Sequence, residues 1–377
     1  MTRKIIYVTG TRADYGLMRE VLKQVDVSSD LELLICVTGM HLSALYGNTI
    51  QEIERDQFKI CATIPVDVEN TSYGAMSKSI GYGIIGLTEA FERENPDLVL
   101  LLGDRGEMLA AAIASVHLNI PIVHLHGGER SGTVDEMVRH AISKLAHYHF
   151  VSTDSSRQRL IKMGENENNV FVIGAPGIDE LKSFIKSSPT SFYQRYEFNI
   201  EKKVCLLVYH PVVQEFNDIK IQFKNVIEAA LAFDLQIICL EPNSDAGGHL
   251  IREIINEFTN YKDVRIIKHL HRSEFIDCLA NSDVMLGNSS SGIIEAASFN
   301  LPVVNVGNRQ NLRERSMNVI DVDTSYDSIV NGIKDALKLP TETYVNCYGD
   351  GNTAQRCYQL LKCISLDKLI LNKSNVY

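Results

Sequence analysis

Ten short apolar runs, four to eight residues each, recur along the chain with helix-length amphipathic segments between them. They fall at 4–9 (KIIYVT), 31–38 (LELLICVT), 97–102 (DLVLLL), 120–125 (IPIVHL) and 148–152. A second series follows at 203–209, 235–240, 264–268, 283–286 and 302–306. Near-continuous apolar strands separated by helices such as 133–147 and 248–259 imply parallel sheets covered on both faces. The runs thin out between about 178 and 202, where Ser187-Ser188-Pro189-Thr190-Ser191 reads as a linker. This organisation predicts an α/β chain of two doubly wound, Rossmann-like domains facing each other across a cleft, residues 1–180 and 181–350. At 377 residues the chain is long for one core and ample for two.

Composition narrows the function. The chain is 45% hydrophobic and carries a net charge of −10. That balance argues against nucleic acid or an anionic membrane as partner, since both demand a basic surface. No run reaches the roughly 18 apolar residues of a membrane span, and no signal-peptide pattern opens the chain, so a cytoplasmic protein is expected. The eight cysteines show no C-x-x-C spacing; Cys36, Cys61, Cys205 and Cys239 sit inside apolar runs as small core residues. Neither a disulfide framework nor a metal site is expected. His124, His126, His140 and His147 match no usual zinc spacing.

Ligands in doubly wound sheets bind beyond the carboxyl ends of strands. Eight expected strand ends carry compact polar clusters. In the first half these are Thr9-Gly10-Thr11-Arg12-Ala13-Asp14, Thr38-Gly39-Met40-His41, Gly103-Asp104-Arg105 and His124-Leu125-His126-Gly127-Gly128-Glu129. In the second they are His210-Pro211, Glu241-Pro242-Asn243-Ser244-Asp245, Gly287-Asn288-Ser289-Ser290-Ser291-Gly292 and Gly307-Asn308-Arg309-Gln310. The run 287–292 follows a strand and opens a helix, which suits a diphosphate on free backbone N–H groups; a plain Ser/Asn N-cap is the competing account. Arg12, Arg105 and Arg309 lie just past glycines, where a guanidinium can take a phosphate or join a surface ion pair. His210, before a proline, can donate to a phosphate or sit satisfied in the core. Asp104 closes an apolar strand, so burial should raise its pKa unless Arg105 pairs with it. Thr133 to Glu136 matches a capping box, with Asp135 in the first turn. Several carboxylates in one loop region suit proton transfer on a sugar. Gly81-Tyr82-Gly83-Ile84-Ile85-Gly86 fits G-x-G-x-x-G, but no strand precedes it, so it is set aside and no redox cofactor is expected.

These clusters, with Tyr46-Gly47-Asn48-Thr49 and the stretch through Arg139-His140, resemble the hydrolysing UDP-N-acetylglucosamine 2-epimerases over roughly residues 4–320. The resemblance implies a GT-B type fold, a homodimer or homotetramer, and a C-terminal helix (351–377) packing back on the first domain. It implies release of UDP and N-acetylmannosamine through elimination to a glycal and hydration, as in sialic acid synthesis. An alternative is the same reaction on UDP-N,N'-diacetylbacillosamine, a 2,4-diacetamido-6-deoxy sugar, toward legionaminic acid. By the same resemblance Asp104 and Asp135 are acid/base groups, with Arg105, Glu129 and His41 nearby. His126 stands where many members have glutamate, and Gly16 where some have serine. The UDP contacts fall on Arg12, His210, Asn243, Ser289, Ser290, Glu295 and Arg309. A glycosyltransferase would share the architecture, and a sensor would bind UDP without turnover.

Overall fold

The computed structural model describes residues 2–69, 73–130, 134–242, 248–268, 270–340 and 343–376. The chain divides into two compact units: unit 1 is Met1–Glu180 with Tyr348–Tyr377, and unit 2 is Leu181–Cys347.

Unit 1 is built on β1 (Arg3–Thr9), β2 (Leu31–Thr38), β3 (Ile60–Ile64), β4 (Leu98–Leu102), β5 (Ile122–Leu125), β6 (Tyr148–Val151) and β7 (Val170–Val172). The sheet is parallel, in the order β3-β2-β1-β4-β5-β6-β7. Its helices are α1 (Arg12–Asp26), α2 (Ile50–Arg55), α3 (Tyr73–Glu94), α4 (Gly106–His117), α5 (Val134–Leu145) and α6 (Asp154–Lys162), and α7 (Asp179–Ser183) runs across the chain boundary with unit 2. Alternate strand residues serve opposite faces. Ile5, Tyr7, Leu98 and Leu100 pack with Met18, Val21 and Leu22 of α1. Ile6, Val8, Val99 and Leu101 pack with Leu87 and Phe91 of α3 and Met108 of α4. Each such buried side chain is worth about 1.5–3 kcal/mol. Chain order reverses between β1 and β4, so the crevice a ligand would use lies past their carboxyl ends.

Unit 2 opens with α8 (Pro189–Arg195). The segment read as a linker is this helix: Ser188 caps it, accepting from the Ser191 N–H at 3.3 Å, and Pro189 takes the first turn, where its missing N–H is no loss. The strands are β8 (Val204–Val208), β9 (Gln236–Leu240), β10 (Val264–Ile267), β11 (Val284–Gly287), β12 (Val303–Val306) and β13 (Val319–Val322). They form a second parallel sheet, β10-β9-β8-β11-β12-β13, with its reversal between β8 and β11. The helices are α9 (Ile219–Leu231), α10 (Gly248–Glu257), α11 (Arg272–Asn281), α12 (Ser290–Ile294) and α13 (Tyr326–Ala336). The last helix, α14 (Thr353–Cys363), belongs to unit 1, where its Cys357 and Leu361 join the core beside α1. Among the described residues no helix is long and apolar enough to cross a membrane.

All ten expected strands are present, and β3, β7 and β13 are additional. The 81–86 glycine run lies inside α3, so it forms no phosphate-binding turn.

Candidate active site

In unit 1 the polar ends of β1, β2, β4 and β5 come together at the sheet's carboxyl edge. Thr11 caps α1 and Asp14 closes a capping box with it. The Asp14 carboxylate accepts from the Thr11 N–H at 2.8 Å, the Gly10 N–H at 3.2 Å and the Thr9 hydroxyl. Burial nonetheless pushes its pKa up to about 6. Thr9 also meets His41, whose Nε2 lies 3.0 Å from Thr9 Oγ1 and whose Nδ1 lies 2.7 Å from Thr49 Oγ1. His41 is fully buried, and that burial pulls its pKa down to about 4, so it is neutral at pH 7. Its place is between two threonines, holding the β1 and β2 ends together. Gly39 allows this approach: at φ +61°, a Cβ there would stand 2.7 Å from the Gly10 carbonyl and 2.8 Å from Glu107 Oε1.

Asp104 does not pair with Arg105. Its carboxylate pairs with the buried Arg139 of α5, which also donates to the Glu129 carbonyl at 3.0 Å. The ion pair weighed for Arg105 is thus made with Arg139. Arg105 turns instead to Glu107, at 3.5 Å. The Asp104 turn is held from beneath by His124, whose Nε2 donates to the Gly103 carbonyl at 2.7 Å; burial pulls the pKa of that ring down to about 3. On the β5 side, His126 adopts a left-handed backbone, φ +62°, uncommon for a residue with a side chain. Its Nδ1 lies 3.4 Å from Glu129 Oε1, which also accepts from Ser152 at 2.9 Å. Asp104, Arg139, Glu129 and His126 therefore form one connected polar network. Arg12, on the first turn of α1, pairs with Glu52 at 3.1 Å on the exposed side. Asp135 stands in the first turn of α5, but its side chain, Thr133 and Asn243 lie outside the described residues.

Unit 2 assembles its own cluster where β8 and β11 end. Asn288 clamps the backbone of His210 from both sides: its Oδ1 accepts from the His210 N–H at 2.7 Å and its Nδ2 donates to the His210 carbonyl at 2.8 Å. Arg309 and Gln310 donate to the Asn288 carbonyl at 3.0 and 3.1 Å. The strands close this tightly only because residue 287 is glycine: at φ +134°, a Cβ would sit 2.1 Å from the Val208 carbonyl. Ser289 caps α12, and its hydroxyl lies 2.7 Å from that of Ser291. The helix it opens is only five residues long, so its dipole is slight and any anion held there relies on local N–H and hydroxyl donors. Glu295, at the far end of α12, receives both nitrogens of Arg272 at 2.8 and 3.1 Å. At the unit 1 edge, Glu107 was not among the expected residues, and His124 and Arg139 were given no role in the site. Their partners are set by which strand ends become neighbours, which local sequence does not carry.

Two doubly wound parallel sheets with polar switch points, carboxylates on one and a Gly-Asn-Ser-Ser turn on the other, define a chain of the GT-B fold type. The family model for UDP-N-acetylglucosamine 2-epimerase matches residues 23–362, and the chain belongs to that family. It is 70% identical over 377 residues, all of both chains, to the UDP-N,N'-diacetylbacillosamine 2-epimerase (hydrolyzing) of Legionella pneumophila. It is 35% identical to the GDP/UDP-N,N'-diacetylbacillosamine 2-epimerase (hydrolyzing) of Campylobacter jejuni, covering 85% of this chain and 84% of that one. The crystal structure of UDP-GlcNAc 2-epimerase from Neisseria meningitidis bound to UDP-GlcNAc superposes with a TM-score of 0.77 at 21% identity, over 95% of this chain and 99% of that one. The class of activity is hydrolysing epimerisation of a UDP-sugar.

Proposed function

We propose that the chain converts UDP-N,N'-diacetylbacillosamine to UDP and the free 2-epimer of its sugar. The observation that carries this reading is the 70% identity, end to end, with the Legionella enzyme of that name. The first expectation, UDP-N-acetylglucosamine giving N-acetylmannosamine, yields to the alternative stated with it.

The chemistry requires two stages. The hydrogen on carbon 2 is not adjacent to a carbonyl and is weakly acidic, so the carbon 1–oxygen bond must first weaken, with the diphosphate taking its electron pair. A carboxylate then removes the carbon 2 proton and a glycal remains. Water adds next: its hydroxyl goes to carbon 1, and a proton reaches carbon 2 from the opposite face. Asp104 is suited to the base, because it pairs with Arg139 and stays partly exposed, 21% for the side chain. Asp135 is the second acid/base group, His126 and Glu129 form a linked pair that supports it, and Arg105 serves the sugar. His41 acts by position. His210, Ser289, Ser290, Arg309, Arg12 and Asn243 hold the nucleotide diphosphate, and Glu295, fixed by Arg272, faces the ribose.

Purified protein incubated in D2O with each of the two nucleotide sugars, followed by NMR, tests the reading. Expected are UDP and a free 2-epimerised sugar with deuterium at carbon 2, fastest from the diacetylated substrate. UDP release without deuterium at carbon 2 overturns it.

A further inference from the structure

Unit 1 carries a cavity of which these assignments use Arg105 alone. It measures about 220 Å³ and opens beyond the carboxyl ends of β2, β3 and β4; one water takes about 30 Å³ of liquid volume. Its apolar wall is Met40, Val66, Val68, Met76, Ile80 and Leu87. The hydroxyls along that wall are turned to backbone. Thr38 donates to the Ile64 carbonyl at 2.6 Å, Ser79 to the Asp67 carbonyl at 2.6 Å, and Tyr46 to the Val68 carbonyl at 3.5 Å. Charge enters at Asp67, on the rim between Val66 and Val68, and on the side where Arg105, Gly106 and Glu107 complete the lining. Arg105 directly follows Asp104, so this charged side of the lining belongs to the same β4–α4 turn as the carboxylate assigned to carbon 2.

A pyranose with carbon 2 at Asp104 directs its carbons 4 and 6 away across the ring, and the opening beside the Asp104 turn offers space for them. In UDP-N-acetylglucosamine those positions bear hydroxyls. In a 2,4-diacetamido-6-deoxy sugar they bear an acetamido group and a methyl. An apolar wall whose own hydroxyls are engaged accepts two methyl groups readily and offers a sugar hydroxyl little in exchange for water. We propose that this cavity is the specificity subsite for the substituents at carbons 4 and 6, with Val68, Met76 and Ile80 as the discriminating wall. The inference rests on the functional reading above and adds the element that separates the two candidate sugars.

Met76 is 57% exposed, so changes there spare the core. The test compares kcat/KM for both nucleotide sugars in the full chain, its Met76→Trp form, which fills the mouth, and its Ile80→Asn form, which makes the wall polar. Pocket contacts of this size shift selectivity about 10- to 100-fold. Met76→Trp should therefore lower kcat/KM for the diacetylated substrate at least about tenfold while UDP-N-acetylglucosamine changes less than about twofold, and Ile80→Asn should move the ratio the same way. Selectivity unchanged in both variants, with the wild type still active, overturns the subsite alone. A wild type that consumes neither sugar overturns the functional reading and the subsite with it.

Discussion

Asp14 shows how a residue at the site's edge can be bound up in structure. Every group around its carboxylate is a donor, from Thr9, Gly10 and Thr11, yet burial outweighs them and raises its pKa from 3.8 to about 6. The sign follows directly. The folded state holds this proton more tightly than the unfolded chain, so the contribution to stability is full below pH 3.8 and is lost as pH rises through 6. At about 1.36 kcal/mol per pH unit the loss is about 3 kcal/mol. Asp14→Asn cannot titrate, so its Tm relative to wild type should rise by several degrees between pH 4 and pH 7 in thermal unfolding. A difference that stays constant across that range removes the buried-carboxyl account. His41 and His124 stand at the same edge with pKa values pulled down to about 4 and about 3; both are common to wild type and variant, so their titration cancels in the difference.

Among the elements, α5 links the site to the end of the chain. Its first turn bears Asp135, and one turn further on Arg139 holds Asp104. Its last carbonyls face Lys373, whose ammonium donates to Ser143, Lys144 and Ala146 at 3.0, 3.0 and 2.6 Å and pairs with the buried Glu165 at 2.6 Å. A cation there satisfies orphan carbonyls and meets the negative end of the helix. Lys373→Met should cost about 2 kcal/mol, the scale of a hydrogen-bonded charge, and lower the urea midpoint. UDP affinity by calorimetry should stay the same, because the proposed UDP contacts around His210 and Ser289 belong to unit 2. An unchanged urea midpoint would show the tail to be ornamental. The elements also show what local sequence conveys. Strands such as Leu98–Leu102, buried at every position, announce themselves as continuous apolar runs. The three unforeseen strands, Ile60–Ile64, Val170–Val172 and Val319–Val322, all lie at sheet edges, half in solvent, and two of them have three or four residues. Edge strands owe their form to the neighbour they pair with, and a short mixed run carries no trace of that neighbour. Ser188-Pro189 misled for a related reason: the residues that end a loop are the ones that start a helix.

At the scale of the whole chain, the proposed chemistry divides between the two sheets. Unit 1 concentrates carboxylates and their arginine at the β4 and β5 ends, and unit 2 concentrates backbone and hydroxyl donors at the β8 and β11 ends. The polar junctions were readable in advance because doubly wound sheets put their functional loops at one edge. The pairings within them were not, since Asp104 finds Arg139 thirty-five residues away. If the division holds, single substitutions in the two units should fail in different measurements. Asp104→Asn keeps the shape but removes the proposed base, so kcat should fall about 10²- to 10⁴-fold, as for loss of a general base, while UDP affinity by calorimetry stays within about twofold. His210→Ala removes a proposed phosphate donor, worth about 1.5–3 kcal/mol for a bond to a charged group, so UDP should bind at least about tenfold more weakly. Because diphosphate departure precedes proton removal, the same variant should also slow turnover, whereas Asp104→Asn should not weaken binding. The asymmetry is the diagnostic: equal losses of UDP affinity in both variants would mean that the β4 end holds the nucleotide and that proton transfer must be sought elsewhere.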